Sequence, residues 1–355
     1  MDINNILRFG MSIFDGNGDF TTGCYFRETK TTDEAPLVLV SAPWAVTSAG
    51  GHGSVYAPDA IIDSSNRVGL YDAVAEISIE GEVATAPINY DLQELSQQLG
   101  NDAAKILTHV EDGGSLSSDY FVDKIRRVNN GFLEMHAAIE EQVSRYIEQG
   151  KIVGTIGGDH STSFGAIRAA ARHYKDLGIL FVDAHCDLRQ KGSIFDYSHL
   201  SVARNIIEEI PQVSRLVEVG VRDISANDIK YIAECDRIKL FCADTMAAER
   251  FAGRSWSDVC DEVVEQLPEL VYISFDIDAL SPECCPHTKQ PVAGGLNFDM
   301  AVCLINRVTQ SGRRIVGFDL TEIVPVSESN VDANVGARLL TKLCATSLKS
   351  NKIKE

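Results

Sequence analysis

The chain has 355 residues, of which 45% are hydrophobic, and this is enough apolar material for one large α/β domain or two smaller ones. Its net charge of −19 argues against nucleic acids and anionic membranes as partners, and no segment approaches the length of a membrane span. Nine cysteines without a CxxC pair, and an N-terminus without a signal-peptide pattern, predict a reduced, cytoplasmic protein.

Strands and helices are predicted to alternate after a polar, weakly patterned N-terminal extension over residues 1–35. Buried strands are predicted at 36–40, 152–156, 179–182, 216–221, 239–242, 270–275 and 314–320, with an edge strand or hairpin at 75–88. Helices are predicted from 58, around 91–98, from 132 to 150, after 161 to about 172, and at 227–235, 257–267, 298–310 and 334–348. This alternation predicts a single domain over 36–355, with a parallel sheet covered by helices on both faces. A Gly-rich loop at 48–53 is expected at the rim of its pocket.

Three polar clusters follow predicted strands: GGDHS at 157–161, DAHCD at 183–187 and FDID at 275–278. Residues two apart in an extended backbone point the same way, so the Asp and His side chains of each cluster converge. The carboxyl ends of parallel strands form one ligand-binding edge, where these clusters would meet. One cluster alone could be a hydrogen-bonded turn with an incidental histidine. Together they predict a site for two divalent cations, because crowded carboxylates beside a core strand need neutralisation.

The segments GGDHS, DAHCD and SFDIDALSP resemble the signature motifs of the ureohydrolases, the arginase/agmatinase family. The resemblance covers most of the chain from Pro36 onward. It implies a three-layer α/β/α fold, a centre of two Mn²⁺ ions with Ni²⁺ or Co²⁺ as alternatives, and a homo-oligomer, either a trimer or a hexamer. It assigns one metal to His160, Asp183, Asp187 and Asp276, and the other to Asp183, His185, Asp276 and Asp278, so that Asp183 and Asp276 bridge.

The activity implied by the resemblance is agmatinase-like cleavage of the C–N bond of a small guanidino compound by a metal-bridged hydroxide, giving urea and an amine. His199 is similar to the family's loop histidine that shuttles a proton to the leaving amine. Glu322 matches the family's glutamate before the final proline, which is expected to hold the guanidinium. Without the resemblance, His199 is equally well explained as a surface loop histidine, and an acid in the position of Glu322 is more often a solvated residue at a strand end.

Departures from the family pattern leave the tail of the substrate open. His287 and Lys289 stand where many relatives have glycine, and the arginine common in the Gly-rich loop is missing. Arg189, Lys191 and Lys289 lie on loops that would rim the pocket, and Arg189 and Lys289 are the candidate substrate-binding residues. A basic rim would repel the second charge of agmatine and favour a carboxylate, as in a formimidoylglutamase or guanidino-acid hydrolase. A catalytically silent metal-binding scaffold is a further alternative.

Overall fold

A computed structural model of the protein describes residues 23–28, 30–48 and 53–352. Most of the predicted N-terminal extension and the centre of the predicted Gly-rich rim lie outside these residues. At the start of the described chain, Tyr25 and Phe26 are buried, and the Tyr25 hydroxyl is 2.8 Å from Ser41 Oγ. The division into an extension and one catalytic domain stays a prediction.

The centre of the fold is an eight-stranded sheet in which each pair of neighbouring strands is parallel. The strands of the chain are β1 (Leu37–Ala42), β2 (Tyr71–Asp72), β3 (Ile77–Ser78), β4 (Val83–Thr85), β5 (Ile152–Gly157), β6 (Leu177–Val182), β7 (Val213–Val219), β8 (Ile238–Phe241), β9 (Leu270–Asp276) and β10 (Arg314–Thr321). Their order in the sheet is β4-β1-β5-β10-β9-β6-β7-β8, and β2 and β3 form a separate antiparallel pair.

Helices cover both faces of the sheet. They are α1 (Ala57–Ser65), α2 (Tyr90–Glu111), α3 (Asp119–Glu148), α4 (Ser163–His173), α5 (Val202–Glu209), α6 (Ala226–Glu234), α7 (Ala243–Phe251), α8 (Trp256–Glu265), α9 (Phe298–Gln310) and α10 (Val331–Lys352). The apolar faces of α1, α8, α9 and α10 form one core with the sheet, and those of α2, α3, α4 and α5 form the other. The predicted three-layer α/β/α fold is therefore confirmed. Within the described part of the chain, no helix combines the length and apolar character needed to cross a bilayer.

The predicted helices differ from the observed ones in four places. The helix predicted around 91–98 runs to Glu111, because Gly100 is buried inside α2 instead of ending it. The helix predicted from 132 begins at Asp119. Its first turns were missed because its buried apolar positions start only at Val128. The edge strand predicted within 75–88 is confirmed as β4, and the same segment contributes β3 to the β2–β3 pair. Helices α5 and α7 were not predicted.

Four adjacent strands, β5, β10, β9 and β6, form the middle of the sheet. The three predicted polar clusters follow β5, β6 and β9, and Glu322 follows β10 between two of them. All four carboxyl ends lie on one edge because the strands are parallel. The sheet order therefore brings together residues that are more than 160 positions apart in the sequence.

Candidate metal centre

The structure brings the six predicted ligands into one buried cluster. His160 Nδ1 lies 2.9 Å from an Asp183 oxygen and 3.3 Å from oxygens of both Asp187 and Asp276. His185 Nδ1 lies 3.2 Å from an Asp278 oxygen and 3.5 Å from Asp183. Ligand atoms within 4.8 Å of one another define two groups that could each hold a cation, the first of His160, Asp183 and Asp276, and the second of Asp183, His185 and Asp278.

Asp183 belongs to both groups, whereas Asp276 belongs to the first only. The shared carboxylate is consistent with the predicted bridge at Asp183. The second predicted bridge, at Asp276, would need its oxygens to approach the second group as well. Asp187 lies beside His160 but is a member of neither group.

Crowded, buried carboxylates dominate the electrostatics of the cluster. Burial and the charges of Asp278 and Asp183 raise the pKa of Asp276 well above its usual range, and burial together with Asp183 raises the pKa of Asp187 to about 7. Burial disfavours a charged His160, but its contacts with the aspartates raise its pKa well above normal. The raised pKa values show that the crowded carboxylates favour a positive partner, which a divalent cation would provide. Carboxylate and imidazole donors suit hard or borderline divalent ions such as Mn²⁺.

Neighbouring groups hold these ligands in place. His160 Nε2 is 3.0 Å from Ser274 Oγ, which donates to an Asp319 oxygen at 2.9 Å, so a strand-borne hydroxyl and carboxylate orient the imidazole. Backbone N–H groups within the clusters donate to the carboxylates, from His185 to Asp183 at 2.7 Å and from Asp278 to Asp276 at 2.8 Å. Supporting contacts of this kind fix the orientation of metal ligands.

Glu322 lies at the end of β10, directly beside the cluster. Its backbone is left-handed, with φ +61°, and one carboxylate oxygen accepts a 2.9 Å hydrogen bond from the His160 N–H. The other oxygen, Oε2, is buried and makes no hydrogen bond within the described residues. Burial, followed by the Asp159 charge, raises the pKa of Glu322 well above its usual range. A buried carboxylate oxygen without a donor is suited to a cationic or N–H-bearing ligand.

His199 is buried at the start of a short 3₁₀-helix that leads into α5. Its Nδ1 is 2.9 Å from Thr47 Oγ1, and its Nε2 has no partner among the residues that the structure describes. Burial, followed by the positive charges of Arg189 and His185, lowers the pKa of His199 to about 3. His199 is therefore not a solvated surface histidine, and its imidazole is neutral near pH 7 in this environment.

The three predicted rim cations have different surroundings. Arg189 is exposed and close enough to lower the pKa of His199. Lys289 is half-buried. Burial lowers its pKa, and the negative charge of Glu322 opposes this shift. Lys191 forms a 2.7 Å ion pair with Glu209. Its charge is therefore compensated by Glu209 and is not directed to the rim of the pocket.

Sequence reasoning missed one residue that organises this edge of the sheet. Arg222, three residues beyond β7, donates its guanidinium hydrogen bonds to the backbone carbonyls of Gly220, Asp278, Ala279, Leu280 and Val292. Gly295, at φ +97°, leaves room for it, since a Cβ there would lie 2.7 Å from the guanidinium carbon. An arginine just past the carboxyl end of a strand, beside the ligand strands, was the available signal.

The chain also resembles known proteins. The sequence model of the arginase family matches residues 35–345. An N(1)-aminopropylagmatine ureohydrolase of Thermus thermophilus is 33% identical over 193 residues, which cover 54% of this chain and 61% of the relative. An agmatinase of Neisseria meningitidis is 25% identical over 311 residues, covering 87% of this chain and 86% of the relative. The crystal structure of an agmatine ureohydrolase of Thermoplasma volcanium superposes with a TM-score of 0.68 at 22% identity, over 99% of this chain and 100% of that one.

These matches define the class of protein. The fold and the position of the Asp/His cluster at the carboxyl edge of the sheet agree with the family match over most of the chain, and the chain belongs to the arginase family. It spans about three fifths of the length of the Thermus relative, 61% by alignment.

Proposed function

We propose that this protein hydrolyses a C–N bond of a guanidino compound, releasing urea and an amine, in the manner of an agmatinase. The observation that carries the proposal is a buried Glu322 oxygen that has no hydrogen-bond partner in the described part of the chain and lies beside a cluster of four aspartates and two histidines. A guanidinium bound to Glu322 would lie directly against that cluster. We also propose that the protein is a cytoplasmic homo-oligomer.

The cluster would hold two Mn²⁺ ions through His160, Asp183, His185, Asp187, Asp276 and Asp278. When bound, the ions supply Lewis acidity that lowers the pKa of water and makes a nucleophile available near neutral pH. Glu322 holds the guanidinium and orients its carbon toward the cluster. His199, whose Nε2 is buried without a described partner, is placed to handle the proton that the leaving amine requires.

A second candidate substrate class carries a carboxylate tail, as guanidino acids or formimidoylglutamate do. Two observations favour it. Lys289 is half-buried within electrostatic reach of Glu322, and Arg189 acts on His199 from the rim. A cationic amine about 5 Å from one of these side chains would cost roughly 3 kcal/mol at an effective dielectric of about 20. That is about a hundredfold in preference.

The test is kcat/KM of the Mn²⁺-loaded protein for agmatine, 4-guanidinobutyrate, arginine and formimidoylglutamate. We expect turnover of at least one of them, with urea released from the guanidino compounds, and loss of activity by about two orders of magnitude or more in Glu322→Gln. Tight binding of two metal ions without turnover of any substrate would instead support the silent scaffold.

The tail is tested by the matched pair Arg189→Ala and Lys191→Ala. Both remove a cation from the same loop, but Lys191 is held by Glu209. If the substrate carries a carboxylate, Arg189→Ala lowers its kcat/KM while Lys191→Ala leaves it close to that of the wild type. Agmatine as best substrate, equally in all three proteins, would remove Arg189 from the site.

A further inference from the structure

The side chain of Thr47 contacts His199 twice. Thr47 Oγ1 is 2.9 Å from His199 Nδ1, and the same oxygen accepts a longer hydrogen bond, 3.4 Å, from the His199 backbone N–H. Both residues are buried, at 5% and 8% exposure. The contact spans 152 positions in the sequence and joins the loop after β1 to the 3₁₀-helix before α5.

The donors and acceptors of this pair determine which imidazole nitrogen carries the proton. A threonine hydroxyl has one hydrogen to donate and lone pairs to accept. The backbone N–H of His199 already donates to Thr47 Oγ1. If Nδ1 also donated, the hydroxyl hydrogen would need another acceptor, and among the described residues it has none. If Thr47 donates to Nδ1, the threonine hydroxyl, Nδ1 and the His199 backbone N–H are all satisfied.

We infer that Thr47 is a positioning residue that holds His199 as the Nε2–H tautomer, so that the site receives an N–H donor and not a lone pair. Nε2 is the buried nitrogen without a partner in the described chain, so its proton is available to a bound molecule. The low pKa of His199, caused first by burial, agrees with a neutral ring.

Under the proposed function, on which this step rests, His199 then donates a hydrogen bond from Nε2 to the reacting group. The Thr47 hydroxyl keeps its hydrogen, which is donated to Nδ1, and Nε2 keeps its proton while it donates this hydrogen bond. No covalent bond changes in this interaction. Thr47 therefore connects the ring to a loop that the motifs did not identify.

The test is ¹⁵N magic-angle-spinning NMR of the full chain labelled with ¹⁵N-histidine, which works whatever the oligomeric state. The His199 signals are assigned by their loss in His199→Asn. We expect an unprotonated Nδ1 and a protonated Nε2 in the wild type, the same in Thr47→Ser, and a loss of this single tautomer in Thr47→Val. A wild-type spectrum with the proton on Nδ1 overturns the inference, even if the variants do not fold.

Kinetics give a second readout. Thr47→Val should lower kcat about tenfold or more with KM changed less than about twofold, and Thr47→Ser should restore it, because a misplaced proton affects the chemical step more than binding. The control is Ser347→Ala, which removes a buried hydroxyl on α10 that makes no hydrogen bond within the described residues. Equal losses in Thr47→Val and Thr47→Ser would contradict the inference. Absence of any activity, with the expected spectrum, would count against the proposed function and leave the tautomer assignment intact.

Discussion

At the scale of single residues, two acids of the centre have a backbone that glycine usually adopts. Asp187 and Glu322 have φ values of +50° and +61°. Such a conformation costs a non-glycine residue roughly 1–2 kcal/mol. Backbone hydrogen bonds hold both turns, from Arg204 to the Asp187 carbonyl and from the Glu322 N–H to Gly158. The fold thus tolerates strain where a carboxylate must face the cluster, which is common at functional sites.

Asp187→Asn should separate stability from metal binding. Asparagine tolerates the left-handed backbone at this position. The substitution also removes a carboxyl group whose pKa is raised to about 7 by burial and by the charge of Asp183. We expect the chelated variant to melt higher than the chelated wild type at pH 8, at roughly 2–4 °C per kcal/mol, and to bind Mn²⁺ more weakly. Thermal melts with EDTA and metal titrations check this. A variant that melts lower without metal would show that the crowding of charges is not destabilising.

Glu218 is a buried acid that the proposed mechanism does not use. It lies on β7 with no exposed surface, beside the Cys186 thiol. Burial raises its pKa well above the usual range; the contact with the Cys186 thiol opposes this shift, and the charge of Asp183 adds to it. An acid whose folded pKa is raised contributes less stability as the pH rises above its unfolded pKa of about 4.3.

Glu218→Gln should therefore stabilise the protein increasingly from pH 5 to pH 8 and have little effect at pH 4. Glutamine has nearly the same shape but no charge to bury. Melting temperatures across this pH range are the measurement. Glu234→Gln, on the exposed side of α6, is the control and should change little at any pH. A stabilisation independent of pH would mean that Glu218 is not protonated in the native protein.

At the scale of secondary-structure elements, Arg222 joins the end of β7 to the segment that carries Asp278. Its hydrogen bonds to the carbonyls of Asp278 and Leu280 are 2.8 and 3.2 Å long. The same guanidinium holds Val292, beyond the loop that carries Lys289. Lysine has three donors on a flexible stem and cannot reproduce this planar arrangement.

Arg222→Lys should lower stability by about 2–4 kcal/mol and weaken the cation site that contains Asp278. Metal content by mass spectrometry should fall from two ions toward one, while the His160 site keeps its ion. The exposed pair of Arg145 and Glu141 provides a control, because Arg145→Lys should cost less than about 0.5 kcal/mol. Two tightly bound ions and a wild-type melting curve in Arg222→Lys would contradict this function of the arginine.

An element could be predicted where its own residues carry a clear pattern of apolar and polar positions, and it was missed where they do not. Strands β5, β6 and β9 are continuous buried runs with polar residues at their ends, so both the strands and the cluster were readable. Helix α7 buries only Met246 and therefore has no apolar period to detect. Thr47 and Arg222 act through partners far along the chain, which only the sheet order brings near.

At the scale of the whole molecule, metal binding and folding should be coupled, because the ligands come from the carboxyl ends of three central strands, β5, β6 and β9. Ions that bind the native state but not the unfolded chain stabilise it by about 2.7 kcal/mol at a hundred times Kd. The stability of the metal-free protein depends on pH.

Burial and neighbouring carboxylates raise the pKa values of three acids of the cluster, Asp187, Asp276 and Asp278. The stability that these acids contribute is therefore lost as the pH rises above their unfolded pKa of about 3.9. Contacts with aspartates raise the pKa of His160 despite its burial, so its contribution is lost above about pH 6.5.

Both effects have the same sign, so the chelated protein should lose stability steadily from pH 5 to pH 8. Asp183 acts in the opposite direction, since its contacts with the two histidines lower its pKa despite burial, but it changes protonation below this range. Added Mn²⁺ should therefore raise the melting temperature more at pH 8 than at pH 5. The measurement is a melting curve at each pH with EDTA and with Mn²⁺, and the control is Asp183→Ala, which removes the carboxylate shared by both groups. A gain from Mn²⁺ that is equal at the two pH values, or that persists in Asp183→Ala, would place the stabilising ions elsewhere in the molecule.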